Sequence, residues 1–225
     1  MPHHSPAGSC PANAAVPQGW KEDARRTSPD WLSRQVVEGS NVTTATMSRS
    51  GLWEVNSRTI VYAAIGAALY GVLGFAISIV IPGSNNVAVR PAFALVPFFG
   101  YAFGPIVGFF VGLVGNALID QLTGYGAFTA WNWSIANGLV GLIAGILAVR
   151  QMGMNKIVHA AVVAAVATAV GLLFVFTDIV VFGNDFNTAL TGSYLWALWP
   201  DLIAAVILTP ILVAAWGPIQ EAIGR

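Results

Sequence analysis

Beyond residue 57 the chain alternates between long apolar runs and short polar breaks, and run length sets the first expectation. A bilayer core needs about 20 apolar residues per helix. Six runs follow: Thr59 to Ile81, closed by Pro82-Gly83; Arg90 to Phe103; Gly104-Pro105 to Thr123; Asn132 to Val149; Lys156 to Asp178; and Tyr194 to Trp216, closed by Gly217-Pro218. Proline is tolerated at a helix start, so Pro105 reads as an opening residue. The second run is short, covering roughly 21 Å at 1.5 Å per residue against a core of about 30 Å. The missing length must come from "SNNVAV", residues 84–89. Non-helical backbone at that depth is tolerated only where it is buried or lines a cavity. The pattern predicts an all-α membrane protein, a six-transmembrane-helix bundle over residues 58–217, followed by a short cytoplasmic tail over 218–225.

Residues 1–57 have no such pattern. They are rich in Ser, Pro and Ala, and Met1 to Asn56 holds five basic and five acidic residues. We read them as a disordered polar cytoplasmic tail, too polar to bury a core. They lack the apolar stretch of a signal peptide. His3 and His4 read as solvated residues of that tail rather than metal ligands. Met47 lies shortly before the first apolar run and is an alternative start to Met1.

Composition supports the membrane assignment: 56% of residues are hydrophobic and 9% charged, where soluble domains carry roughly 25% charged residues. Net charge is zero, so there is no basic face for nucleic acid. The single cysteine, Cys10, excludes internal disulfides and multi-cysteine metal sites. With the N-terminus inside, the cytoplasmic flanks hold Arg49, Arg58, Arg150, Lys156 and Arg225, and the outer flanks hold Arg90 alone. That bias places both termini in the cytoplasm and makes 82–89, 124–131 and 179–193 the outer loops.

Against this apolar background the polar residues concentrate towards one side. Gly112, Asn116 and Asp120 step along one face of the third helix, and Trp133 and Asn137 are four apart on the fourth. Asp178 closes the fifth run. Tyr194, Leu198 and Asp201 share a face of the sixth, with Trp196 and Trp199 nearby, and Arg90 opens the second. Charged and amide groups in such helices usually face the bundle interior or a watery cavity. Each has a plainer reading: the tryptophans as an interfacial belt, Asp178 as a loop end, Arg90 with Asp120 as a structural salt bridge. Together they describe a site for a small, flat, polar-edged molecule, with rings for stacking and Asn, Asp and Arg for its edges.

Glycine and alanine recur four apart, as Ala63, Ala67 and Gly71 with Ala64 and Ala68 beside them, as Gly104, Gly108 and Gly112, and as Gly138, Gly141 and Gly145. Such stripes let helix backbones approach closely. For the third and fourth helices packing within the chain is the preferred reading. For the first, a docking surface for another membrane protein stands level with it.

Catalytic and nucleotide motifs are missing. There is no Gly-Lys pair, hence no phosphate-binding loop for ATP, and no G-x-S-x-G for a serine nucleophile. His159 reads as an interfacial residue at the cytoplasmic end. No inverted repeat of the kind found in many self-sufficient transporters is visible. The residues alone describe a non-enzymatic membrane protein with an outward-facing binding site and no engine. The alternative is a non-transporting membrane scaffold or biogenesis protein.

The segments "AAIGAALYGVLGF", "IPGSNNVAVRPAFALVPFFGYAFGPIVGFFVGLVGNALID" and "TGYGAFTAWNWSIANGLVGLIAGI" carry a resemblance. From about Ile60 to Leu147 the chain resembles the substrate-binding S components of energy-coupling factor (ECF) transporters, riboflavin-type branch. The part after Arg150 matches by helix count and position. The resemblance implies a six-helix subunit of the cell membrane of a prokaryote that captures a vitamin or related micronutrient, riboflavin-like or another B vitamin or precursor. It implies no cofactor of its own, since ATP is used by partners: a membrane T component carrying two cytoplasmic ATPase subunits. Docking in the family uses an Ala-x-x-x-Ala surface on the first helix, which maps here onto Ala63/Ala67 or Ala64/Ala68, with Gly71 continuing the first stripe. The family's ligand lies among the outer helix halves and the first, third and fifth loops. The candidate substrate-binding residues are therefore Asn85, Asn86, Arg90, Asn116, Asp120, Tyr125, Trp131, Asn132, Trp133, Asn137, Trp196 and Asp201.

Overall fold

The computed structural model describes residues 53–84, 87–150 and 153–222. The polar segment before residue 53, with Met47 and the tail assigned to it, lies outside the described residues. Five helices among the described residues are long and apolar enough to cross a membrane, and a sixth is apolar but shorter. They are α1 (Ser57–Ala76), the short α2 (Pro91–Phe103), α3 (Pro105–Leu122), α4 (Trp131–Ala148), α5 (Lys156–Val181) and α6 (Thr188–Ala222). The chain is an all-α membrane protein, as its apolar pattern predicts.

The helices start and stop for local reasons. Asn56 caps α1 reciprocally: its side chain accepts from the Thr59 amide at 3.0 Å and the Thr59 hydroxyl accepts from the Asn56 amide at 3.4 Å. Helix α1 ends at Ala76, six residues before the proline expected to close it. There the chain turns extended, and β1 (Ile79–Val80) pairs antiparallel with β2 (Ala88–Val89). This short hairpin occupies the place where the missing length of the second run was expected. Helix α2 then enters through a 3-10 turn at Pro91–Ala94. Gly104, at φ +103, reverses the chain between α2 and α3 without a loop. A side chain would strain that backbone, and Pro105 follows with its preset φ at the first position of α3.

Helix α2 is short because it is central. It contacts α1, α3, α4, α5 and α6, so its polar ends need not reach both lipid headgroup layers. Its Phe93, Val96 and Phe99 sit in a core completed by Val107 and Val111 of α3, Val140 and Ala144 of α4, and Val163 and Ala167 of α5. The outer faces are apolar too. Ile65, Leu69 and Val72 of α1 and Ile203, Ile207 and Ile211 of α6 are exposed, as expected where lipid tails are the solvent.

The small-residue stripes of α3 and α4 pack on each other. A Cβ added at Gly108 would run into the Gly141 carbonyl, one at Gly112 into the Asn137 carbonyl, and one at Gly145 into Pro105. Here two backbones meet with no room for a methyl group. On α1 the stripe divides. Ala63, Ala67 and Gly71 are buried, and Ala67 and Gly71 pack against Gly115 and Leu118 of α3, so that set is used within the chain. This corrects the expectation that they offer a docking face. Ala64 and Ala68, rotated about 100° along the helix, are exposed.

Two further expectations are sharpened. His159, in the first turn of α5, is buried: its Nδ1 lies 3.0 Å from the Tyr101 hydroxyl across the α2–α5 contact. Gly217-Pro218 does not end α6, which runs on to Ala222 with Pro200, Pro210 and Pro218 inside it. Proline removes one backbone bond, and neighbouring groups can take up the freed polar atoms, as membrane helices allow.

Candidate functional site

The polar ends of the helices enclose one cavity of about 530 Å³. It lies where α1, α3 and α5 end and where α2, α4 and α6 begin. The hairpin contributes Val80, Val87 and Ala88 to its wall. Exposed Tyr125 and Phe182 stand at its rim.

The wall from α2 and α3 is a chain of hydrogen bonds. Arg90 donates through Nη1 to Asn116 Oδ1 at 2.9 Å. Asn116 Nδ2 donates to Asp120 Oδ2 at 3.0 Å and to Ser134 Oγ at 3.1 Å. Arg90 Nη2 lies 3.8 Å from Asp120 Oδ1, closing the loop. Asn116 and Asp120 meet because they are four apart on one helix face. Arg90 reaches them because the hairpin delivers it to the start of α2 with extended backbone.

The facing wall comes from α4 and α5. Trp133 donates through Nε1 to both oxygens of Asp178 at 3.2 Å. Asn132 donates through Nδ2 to Asp178 Oδ1 at 2.6 Å and to the Thr177 hydroxyl at 3.0 Å. Asp178 is 2% exposed yet lines the cavity, so neutral donors hold a buried carboxylate there. Between the walls, the Tyr70 hydroxyl of α1 donates to Asn137 Oδ1 at 3.1 Å, and Asn137 Nδ2 donates to the Trp133 carbonyl at 2.8 Å. Helix α6 adds Ala197 and Asp201, one turn apart.

Of the candidate residues, Arg90, Asn116, Asp120, Tyr125, Trp133, Asn137 and Asp201 line this one cavity. Asn85 and Asn86 lie outside the described residues. Three others do not line it. Trp131 is 43% exposed on another face of α4. Asn132 is fully buried behind the wall, where its amide holds Asp178. Trp196 packs against the hydrophobic core. The reason is helical phase: Trp133 and Asn137 share a face, whereas Trp131 and Asn132 are turned about 200° and 100° from it. On α6 the cavity face runs through Ala197 and Asp201, and Tyr194 bonds the Ala169 carbonyl instead.

Sequence reasoning did not select Tyr70, Ser134 or Asp178 for the site. Asp178 carried a signal, a lone carboxylate closing an apolar run, but its loop-end reading was equally available. Tyr70 lies in an otherwise apolar helix, and no spacing rule singles it out.

The opposite end of the bundle holds a cluster of packed rings. Phe103 of α2 lies between Phe99, Tyr62 of α1 and Trp216 of α6, with ring centroids 5.2, 4.5 and 5.1 Å away. The arrangement is a polar chamber at one end with rings packed at the other.

Comparison with known proteins agrees with this architecture. Residues 54–216 match the family model described as ECF-type riboflavin transporter, S component. A UPF0397 protein of Streptococcus thermophilus (strain CNRZ 1066) is 35% identical over 142 residues, 62% of this chain and 76% of the relative. A UPF0397 protein of Streptococcus thermophilus (strain ATCC BAA-491 / LMD-9) matches with the same identity and coverage.

Proposed function

The chain belongs to the family of ECF-type riboflavin transporter S components, and on that footing we propose that it captures a vitamin or related micronutrient from outside the cell for an ECF-type ABC importer. It is a multi-pass membrane protein, and members of this family bind substrate rather than transform it. The observation that carries the reading is the cavity: about 530 Å³, within the roughly 300–1,000 Å³ usual for small-molecule sites. Convergent amides, carboxylates and rings line it, and the aromatic packing at the other end suits a binding chamber rather than a channel. The lack of a phosphate-binding loop fits a subunit that leaves ATP hydrolysis to partners. A scaffold would have no need of a hollow lined by ionisable groups, which are costly to keep away from water.

Delivery into the cell then requires partners, a membrane T component and two ATPases. Their docking face on this chain is the exposed stripe of α1 through Ala64 and Ala68, where small side chains leave a shallow track for another helix. Purified protein should bind a member of a vitamin panel more tightly than micromolar, and cells carrying the complete importer should take that compound up. Ala68→Trp should leave binding intact and abolish uptake, whereas Ala67→Trp should cost both, because Ala67 is buried against α3. Uptake unchanged by Ala68→Trp would remove the docking face. Absence of any binding across the panel would remove the capture function.

A further inference from the structure

We propose that the cavity selects an organic cation, a molecule carrying a protonated or quaternary nitrogen, over neutral and anionic molecules of similar size. This rests on the cavity being the substrate site. Among its described lining residues one guanidinium, Arg90, faces three carboxylates, Asp120, Asp178 and Asp201. Arg90 is partly engaged, bonded through Nη1 to Asn116 and 3.8 Å from Asp120, with its buried Nε unpartnered. The other basic residues of the described helices and their flanks, Arg58, Arg150 and Lys156, do not line the cavity. The two loop residues next to the hairpin that are not described, Asn85 and Asn86, carry no charge.

Three carboxylates therefore share one guanidinium. Asp178 is held by Asn132 and Trp133, which satisfy its oxygens without cancelling its charge. Asp201 faces the same space from α6. A buried carboxylate is stabilised strongly by an incoming opposite charge, because little water screens the pair. An anionic ligand would instead meet three carboxylates and a single guanidinium already shared with Asp120. The rings agree with this. Tyr70, Tyr125 and Trp133 line the cavity, and aromatic faces attract cations, more so those bearing organic groups that also fill apolar space. A bare metal ion fits less well, since no three His, Cys, Asp or Glu side chains among the described residues gather into a metal-binding group.

The test is binding to the purified full chain, by thermal shift and then calorimetry, with three probe sets. The cations are pyridoxamine, thiamine and choline; the neutral set is pyridoxine, riboflavin and nicotinamide; the anions are pyridoxal phosphate, flavin mononucleotide and pantothenate. The expected result is that a cation binds best and that Asp201→Asn weakens it by about tenfold or more. Asp178→Asn should act in the same direction, and if it does not fold, Asp201→Asn decides alone, with gel filtration reporting its integrity. A neutral or anionic probe binding best, with affinity unchanged by Asp201→Asn, would overturn the charge preference and leave the capture function standing. No binding by any probe would overturn both.

Discussion

At one end of this bundle Tyr62, Phe99, Phe103 and Trp216 close the space between helices with rings. At the other, Arg90, Asn116, Asp120, Trp133 and Asp178 line a hollow. Both ends draw on the same helices, and the difference is what fills the gap where they splay. Rings gain dispersion and exclude solvent, so the aromatic end is held mainly by packing. Polar side chains tie one another across the gap and hold their helices apart, provided each buried group finds a partner. The aromatic end is a packing problem solved by volume, and the cavity end is one solved by direction. Between them runs the α3–α4 seam, where Gly108 and Gly141 bring two backbones into contact. It leaves no room for a side chain at either glycine.

Substitutions can separate these three zones. The largest effect should come from the seam. Gly141→Leu places a side chain against the Gly108 backbone, which cannot rotate away, and should destabilise the fold by about 3 kcal/mol or more. Thermal unfolding in detergent would show it, and a melting temperature near that of the parent would mean that the seam is looser than described. Next is the aromatic end. Phe103→Ala empties the centre of the ring cluster and should cost about 3 kcal/mol while leaving ligand affinity within about threefold. A large loss of affinity with unchanged melting would show that the two ends are not independent. Smallest in stability but largest in binding is the cavity wall. Asp178→Ala leaves the Trp133 ring N–H without its acceptor and the Asn132 amide with Thr177 alone, and should cost about 2 kcal/mol, with ligand affinity falling in parallel. If affinity held, the α4–α5 wall would be structural support only.

How much of this could be read from the chain differs between the zones. Five of the six runs predict spans close to those observed, because hydropathy over some 20 residues averages out local detail. The short second run and the irregular backbone before it also predict a cavity, by the rule that unpaired backbone cannot face lipid. Helical spacing brings Asn116 with Asp120 and Trp133 with Asn137 onto common faces. It does less well where phase is the question. Trp131, Asn132 and Trp196 share the neighbourhood of the site in sequence but are turned away from the cavity. Ala63, Ala67 and Gly71 form as clear a small-residue stripe as any in the chain, yet it packs against α3.

The chain by itself determined that this is a helical membrane protein with its costly polar groups gathered at one end, because lipid allows few other patterns. Its motifs also carried the family resemblance. Only the tertiary structure decided which face of each helix meets which neighbour, since one residue of sequence is about 100° of rotation and local pattern does not say where the partner stands. That is how Asp178 of α5 comes to share a cavity with Tyr70 of α1, four helices earlier in the chain. It is also how three carboxylates come to face one arginine, a charge imbalance invisible in a chain whose net charge is zero.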